Sequence, residues 1–413
     1  MTAITTQSEQ ERSATLEAMP AEDAVAALVE AAGRMNASDL FIASNEHRVT
    51  ISLRHLGMVR SFADVSVAQG RRFISHVKAV ADMDVAERRR PLDGRWLLRD
   101  VNGMKLDLRI NTIPTLYGED CAIRILEYDA ALLEMHQIGL LRPQQAALRQ
   151  LLDRPSGLVL VTGPTGSGKT TTLYACLQAL NDGQRKISTI EDPIEFAVDG
   201  FRQSQVNAKL NLDFPELLRS VLRQAPDVIM IGEVRDRITA ETAVRAANSG
   251  HLVFATLHAP VAAGAVQVML SLGVNAHFLA SGLAGVIAQR LVRLLCPHCK
   301  VSYELSESPY TFEEVRSHLN DDEGEVLYGP GGCERCFHSG YIARSGIFEL
   351  LQVQGRLRRM VADMQRARDI EQAAVEAGMI EFRRAALIAV ARGITSTEEI
   401  LRAVPFDFLT EEE

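Results

Sequence analysis

The stretch Gly163-Pro164-Thr165-Gly166-Ser167-Gly168-Lys169-Thr170 follows the apolar run Gly157-Leu158-Val159-Leu160-Val161 and precedes a segment with a helical pattern. It has the form G-x-x-x-x-G-K-T in the strand, loop and helix setting that gives the pattern its meaning. Glycines let backbone N–H groups converge on a phosphate because no Cβ blocks the approach. The N-terminus of the following helix adds its partial positive charge at the same point. The pattern sets Lys169 on the β- and γ-phosphates and the Thr170 hydroxyl on Mg²⁺. A glycine-rich turn without chemistry is the competing reading, and the flanking strand and helix weigh against it. The loop implies a nucleoside triphosphate but not the use made of its energy.

At 413 residues the chain exceeds one ordinary hydrophobic core, so two or three domains are expected. Hydrophobic residues make up 47% and charged residues 23%, which argues against extensive disorder. The net charge is −9 and no basic stripe is evident, so direct contact with nucleic acid is not expected. Arg88-Arg89-Arg90 is too short to reverse that and suits a solvated face or a contact within an assembly. The first 20 residues lack the apolar core of a signal peptide. No window of 18 apolar residues occurs, so no transmembrane segment is expected. The most apolar region, 262–295, is interrupted by Gln267, Asn275, His277 and Gln289 and reads as packed helices. The expected location is cytoplasmic, with any association with the inner membrane made through partner proteins.

The expected class is α/β, with a small α/β N-terminal domain ahead of a larger phosphate-loop domain. Residues 1–20 read as a disordered tail and 21–128 as the first domain. Within it, 48–54 alternates polar and apolar, and Phe73, Val77 and Val80 fall on one side of a helix. Asn102-Gly103 is a type I′ turn signal between strands at 95–101 and 104–111. Leu106, Leu108 and Ile110 share one face of the second strand, so Arg109 is displayed on the other. Arg124, out of phase with Cys121, Ile123 and Ile125, is displayed by the same reasoning. Residues 129–140 read as a linker and 141–403 as the second domain, with helices over 355–403 and an acidic tail at 404–413. Apolar runs at 157–161, 186–190, 228–231 and 252–257 suit strands buried on both faces, as in a parallel sheet.

Three further segments belong with the phosphate loop. Thr189-Ile190-Glu191-Asp192-Pro193-Ile194-Glu195 sets three carboxylates at a strand's C-terminal end, where α/β sheets place ligands; inert acidic loop residues are the alternative. Val228–Ile231 leads into Gly232-Glu233-Val234-Arg235-Asp236, a strand ending in a carboxylate suited to orienting an attacking water. Gly232 occupies the place where many such strands carry a metal-binding Asp. Leu252–Leu257 is flanked by His251 and His258, which read either as ordinary structural residues or as a γ-phosphate sensor.

Cys296-Pro297-His298-Cys299 and Cys333-Glu334-Arg335-Cys336 are two C-x₂-C pairs separated by 33 residues, 300 to 332. Two such knuckles suit tetrahedral Zn²⁺ in a closed structural Cys₄ site. A redox role is the alternative, though nothing nearby suggests a thioredoxin-like unit. The insertion at 294–340 is acidic between the pairs and is expected to project outward. Cys121 and Cys176 stand alone in apolar surroundings and read as buried spectators.

The order of phosphate loop, "TIEDPIE", "IMIGEVRD" and "GHLVFATLHA" resembles the type II secretion and type IV pilus assembly ATPases. In that family the later three are the aspartate box, the Walker B motif and the histidine box. The likeness extends through "AERRRPLDGRW" and "TIPTLYGE" before the loop and "RSGIFELL" after it, roughly residues 37–402. The resemblance implies a PAS-like first domain, a RecA-like second domain and a homo-hexamer that binds ATP between the two. It implies that residues 163–170 and Thr171 bind nucleotide, that Lys169 and Thr170 hold phosphate and Mg²⁺, and that Glu233 is the general base. Glu191 or Asp192 is then expected to support metal and water, with His258 and Arg235 reading the nucleotide state. Arg109 and Arg124 match family arginines that reach the phosphates, a surface ion pair being the alternative. The cysteine set is frequent in assembly ATPases and generally absent from retraction ATPases. The implied role is driving pilin or pseudopilin assembly, the chain working on an inner-membrane platform protein and acting on pilin-like subunits indirectly. A competence pilus is one possible setting; alternatives are a retraction ATPase or a DNA-translocating conjugation ATPase. The chain reads as a short form without the family's extra N-terminal domain. Where the family usually has "SDIHIEP" the chain has Ser38-Asp39-Leu40-Phe41-Ile42-Ala43-Ser44, where it has "RIDG" the chain has Arg54-His55-Leu56-Gly57, and the usual Gln of "PQDGR" is Leu92.

Overall fold

A computed structural model describes residues 4–99, 105–127, 133–305 and 311–409. Contacts divide the chain into two units, Met1–Ala131 and Leu132–Glu413. The first comprises α1 (Glu9–Ala18), α2 (Ala21–Arg34), β1 (Ala37–Ser44), β2 (Val49–His55), β3 (Met58–Val65), α3 (Val67–Val80), β4 (Leu92–Arg99), β5 (Lys105–Thr115) and β6 (Gly118–Glu127). The strands form one antiparallel sheet in the order β3-β2-β1-β6-β5-β4. Period-2 alternation places Leu40, Ile42, Ile51, Leu53, Leu106, Leu108, Ile110 and Ile123 on one buried face, with Val25, Leu28, Phe73 and Val77 of α2 and α3 packed into the same core. The opposite face carries charged side chains. The Asn102-Gly103 turn lies outside the described residues.

Residues 9–18 are not a loose tail. Ser8 and Glu11 form a capping box at the start of α1, and Leu16 is fully buried. Strand β3 is a sheet edge, and α1 occupies it. Arg12 Nε donates to Phe62 O at 2.6 Å, and Asp64 N donates to Ser13 Oγ at 2.9 Å. Side chains of the helix thus satisfy backbone groups that the edge leaves unpaired.

The second unit comprises α4 (Arg142–Leu152), β7 (Gly157–Thr162), α5 (Lys169–Leu180), β8 (Ile187–Glu191), β9 (Phe201–Gln205), α6 (Phe214–Leu222), β10 (Val228–Ile231), α7 (Arg237–Asn248), β11 (Leu252–Leu257), α8 (Ala262–Ser271) and α9 (Ala276–Gly282). There follow β12 (Leu283–Leu295), β13 (Val301–Glu304), β14 (Val326–Gly329), β15 (Tyr341–Gln352), α10 (Arg356–Ala362), α11 (Ala367–Glu376), α12 (Phe382–Ala391) and α13 (Thr397–Ala403). The main sheet has the order β15-β12-β7-β11-β10-β8-β9, parallel except for β15 at one edge. Both faces are covered: Leu158, Leu160, Ile229, Ile231, Val253 and Ala255 pack to one side, and Val159, Val161, Val228, Met230 and Phe254 to the other. That is why these strands read as unbroken apolar runs.

Four expectations need correction. The apolar region 262–295 is helical only as far as Gly282; its second part is the 13-residue strand β12, sandwiched between β7 and β15. The linker expected over 129–140 is not free at its end, because Ile138 and Leu140 are buried and Gly346 N donates to Ile138 O at 2.9 Å. The cysteine-flanked insertion does not simply project. Its Phe312 and Val315 are buried in the main core, and Arg383 and Arg384 of α12 pair with Glu314. The described residues after 403 are anchored too: Val404 is fully buried, and the Arg290 guanidinium lies 5.5 Å from the Phe408 ring centroid.

Candidate active site

The phosphate loop joins the end of β7 to α5, and β7 is flanked by β11 and β12. Gly163 has φ +144°, and a Cβ there would sit 2.4 Å from Gln289 O and 2.7 Å from Ser167 Oγ. Only glycine allows that approach. Pro164, Thr165, Gly166 and Thr171 are exposed, Lys169 and Thr170 half-buried. Lys169 Nζ donates to Gly163 O at 2.9 Å and Pro164 O at 3.1 Å, and burial holds its pKa below the usual lysine value. Ser167 Oγ is a buried polar atom without a partner among the described residues. A buried hydroxyl at a helix N-terminus fits a loop built to meet an anion and its cation.

Glu233 stands just beyond β10. Its Oε2 accepts from Arg235 Nη2 at 2.5 Å, and its Oε1 lies 3.0 Å from His258 Nε2, beyond the end of β11. The Arg235 hydrogen bond is the main cause that lowers its pKa, against partial burial, with His258 adding to the effect. Glu233 is therefore a carboxylate at neutral pH, and its charge also acts on Lys169. The arrangement can hold a water by accepting its hydrogen bond while two cationic or donor side chains fix the carboxylate. Gly232 is closely packed: a Cβ there would lie 3.0 Å from Ile190 O and 3.3 Å from Glu191 Cα. Asp236 caps α7, accepting from Thr239 N at 2.9 Å.

Glu191 is differently placed. It is buried at the end of β8, where its carboxylate accepts from Tyr174 Oη, from Thr189 Oγ1 at 2.6 Å and from Gln203 Nε2 at 3.1 Å. Asp192 is exposed, and its charge acts on Arg235. His251 lies at the opposite end of β11 from His258, with Nδ1 3.0 Å from Ala246 O, and takes no part in this group.

The Sγ atoms of Cys296, Cys299, Cys333 and Cys336 lie within 4.8 Å of one another. Cys296–Cys333 is 3.9 Å, Cys299–Cys336 3.7 Å and Cys333–Cys336 3.7 Å. Tetrahedral zinc with Zn–S near 2.3 Å needs sulfurs about 3.8 Å apart, so the set fits the ion. Burial opposes ionisation of Cys336, but hydrogen bonds from the N–H groups of Cys333 and Gly340 and from the Cys333 and Cys299 thiols together bring its thiol down to about 6. The two solitary thiols behave otherwise: burial pushes Cys121 and Cys176 up to about 12.

In the first unit, Arg109 and Arg124 stand directly opposite each other on β5 and β6. Arg124 is exposed and its Nε lies 3.3 Å from Asp39 Oδ1; Arg109 is half-buried.

A sequence model of the family described as "Type II/IV secretion system protein" matches residues 14–402. The chain belongs to that family. It is 41% identical over 378 residues to the "Type II secretion system ATPase E" of Vibrio cholerae, covering 91% of this chain and 74% of that one. It is 37% identical over 386 residues to the "Type IV pilus assembly ATPase TfpB" of Acinetobacter baylyi, covering 92% and 64%. Among solved structures, the pilus retraction motor PilT with bound ADP superposes with TM-score 0.62 at 25% identity, covering 92% of this chain and 96% of that one. The Legionella pneumophila ATPase DotB shares the fold, with TM-score 0.67 at 20% identity over 91% and 93% of the two chains. The second unit is accordingly a RecA-like phosphate-loop domain, and this secretion ATPase hydrolyses ATP. Among the described residues, no helix is long and apolar enough to cross a membrane.

Two residues of this secretion ATPase escaped the sequence reading. Gln289 of β12 is buried and donates from Nε2 to Ser167 O at 2.6 Å, propping the phosphate loop from the neighbouring strand. A polar residue inside an apolar run was the available signal. Thr162 Oγ1, also buried, donates to Ala259 O and accepts from Ala259 N, tying the loop's strand to the segment after His258.

Proposed function

We propose that this chain is the motor of a machine that builds a pilin-like filament, working as a homo-hexamer on an inner-membrane platform protein from the cytoplasmic face. The observation that carries the reading is Glu233, fixed between Arg235 and His258 beside the phosphate loop. Residues 163–171 hold ATP, Lys169 and Thr170 meeting phosphate and Mg²⁺. The Mg²⁺ ion supplies charge neutralisation at the phosphates. Glu233 orients and activates the attacking water, while His258 and Arg235 couple its position to the nucleotide. Asp192, the exposed carboxylate of its pair, supports the metal and water, and Glu191 fixes the strand end beneath it. Arg109 and Arg124 bring positive charge to the phosphates during turnover, where arginines of this kind are worth about 10³–10⁵ in rate.

The four cysteines support an assembly role, since they fit a structural zinc that orders the insertion. The likeness to a retraction motor favours the second reading, in which the same cycle withdraws the filament. Native mass spectrometry of the purified chain with ATP and Mg²⁺, with elemental analysis, tests the reading. A hexamer with one zinc per chain is expected. A monomer that turns over ATP, or a stable metal-free protein, would contradict it. Deletion in the source cell separates the two directions: loss of filaments supports assembly, whereas an excess of filaments supports retraction.

A further inference from the structure

The charged face of the first sheet carries a cross-strand row. Arg54 pairs with Asp39, Asp39 with Arg124, Arg124 with Arg109, and Arg109 with Arg95, on β2, β1, β6, β5 and β4 in turn. Four guanidinium groups therefore share one line across five strands. Like charges directly opposite on neighbouring strands destabilise a sheet, so the row costs stability. Two carboxylates offset part of the cost. Asp107 takes Arg95 with two N–H···O bonds of 2.7 and 2.9 Å. Asp39 is shared: Oδ2 lies 3.2 Å from Arg54 Nε, and Oδ1 lies 3.3 Å from Arg124 Nε.

The exposures separate the roles. The Asp39 side chain is 12% exposed, that of Arg54 39% and that of Arg124 67%. A nearly buried carboxylate is held beneath two arginines whose heads face water. Ser38 Oγ donates to Asp39 Oδ2 at 2.8 Å and fixes the carboxylate further. The Arg54 guanidinium lies 5.4 Å from the centroid of the Phe41 ring. Pairs with so exposed a partner contribute little to stability. Their consequence is geometric: Asp39 limits the rotamers of Arg124 while leaving most of its guanidinium open to an anion.

We infer that Asp39 is a positioning residue for turnover, acting through Arg124 and sharing its carboxylate with Arg54. The inference rests on the reading in which Arg124 serves the phosphates of ATP. Misplacing a catalytic group by about 1 Å can cost on the order of 10²-fold. Asp39→Ala is therefore expected to lower kcat about 10- to 100-fold, with KM for ATP changed less than about threefold. Asp39→Asn, which keeps one acceptor oxygen, is expected to fall between Asp39→Ala and the unmodified chain.

A double-mutant cycle in the full chain separates positioning from general damage. In an Arg124→Ala background, Asp39→Ala should lower kcat by less than about threefold, because the group it positions is gone. Equal losses in both backgrounds would overturn the inference, as would an unchanged kcat in Asp39→Ala while Arg124→Ala is impaired. An Arg124→Ala chain with full turnover would instead overturn the reading on which the inference rests, and the inference with it. Thermal unfolding of each variant accompanies the kinetics. A lowered midpoint in Asp39→Ala that tracks the loss of kcat, with Asp39→Asn showing neither, would assign the residue to folding.

Discussion

Two glutamates end strands that lie side by side in the sheet, and the fold treats them in opposite ways. Glu191 closes β8, and Glu233 follows β10, its hydrogen-bonded neighbour. Glu191 is buried and accepts from two hydroxyls and an amide, all neutral donors of the same unit. Glu233 is part-exposed and meets a guanidinium and an imidazole. Neutral donors that fill a carboxylate's acceptor sites hold it in place. A cationic partner keeps the charge on and leaves the outer lone pairs for a water or a metal-bound ligand. Both are glutamates at the C-terminal ends of neighbouring strands, Glu233 one residue further along the register than Glu191, and the contacts around each set them apart.

The contrast breaks most readily at Glu191. Replacing it with Ala leaves Tyr174 Oη and Gln203 without their shared acceptor, and an unsatisfied buried donor costs about 1–3 kcal/mol. Chemical denaturation of Glu191→Ala is expected to show a loss of that size, with ATP turnover falling by much less than in a Glu233 variant. Full stability combined with abolished turnover would make Glu191 a direct participant and erase the distinction.

Arg235 sharpens the other side. Its hydrogen bond is the main cause that lowers the Glu233 pKa, so the Glu233 carboxylate is lost only when pH falls below the ordinary carboxylate range. Arg235→Ala removes that cause. The acidic limb of the kcat–pH profile should then move to higher pH, with the neutral-pH rate changed less than the limb. A limb that stays in place, or moves lower, would separate Arg235 from Glu233.

The sequence disclosed the phosphate-loop sheet of this molecule far better than its supports. Strands β7, β8, β10 and β11 are covered on both faces, so they stand out as apolar runs, and the loop after β7 has a pattern that few other structures produce. Helix α1 was hidden because it is polar almost throughout and buries only Leu16; its docking depends on side chains meeting an edge strand some 50 residues away. Strand β12 was hidden because apolar periodicity alone does not separate a fully buried strand from a buried helix. The same limit applied to the site. Glu191 and Asp192 were equivalent in the sequence, and only the approach of Tyr174 and Gln203 turns one of them inward. Asp39 drew no reading as a site residue, since one of the two arginines it joins, Arg124, comes from a strand 85 residues further along the chain.

The most direct measurement is steady-state ATP hydrolysis by Glu233→Gln, paired with nucleotide affinity. The amide keeps the shape and an acceptor oxygen but removes the charge that Arg235 and His258 hold. Turnover is expected to fall by about 10²–10⁴-fold, the usual worth of a positioned general base, with ATP still bound and the fold intact. Hydrolysis at the unmodified rate would contradict the assignment of Glu233 and leave the contrast between the two glutamates without functional meaning.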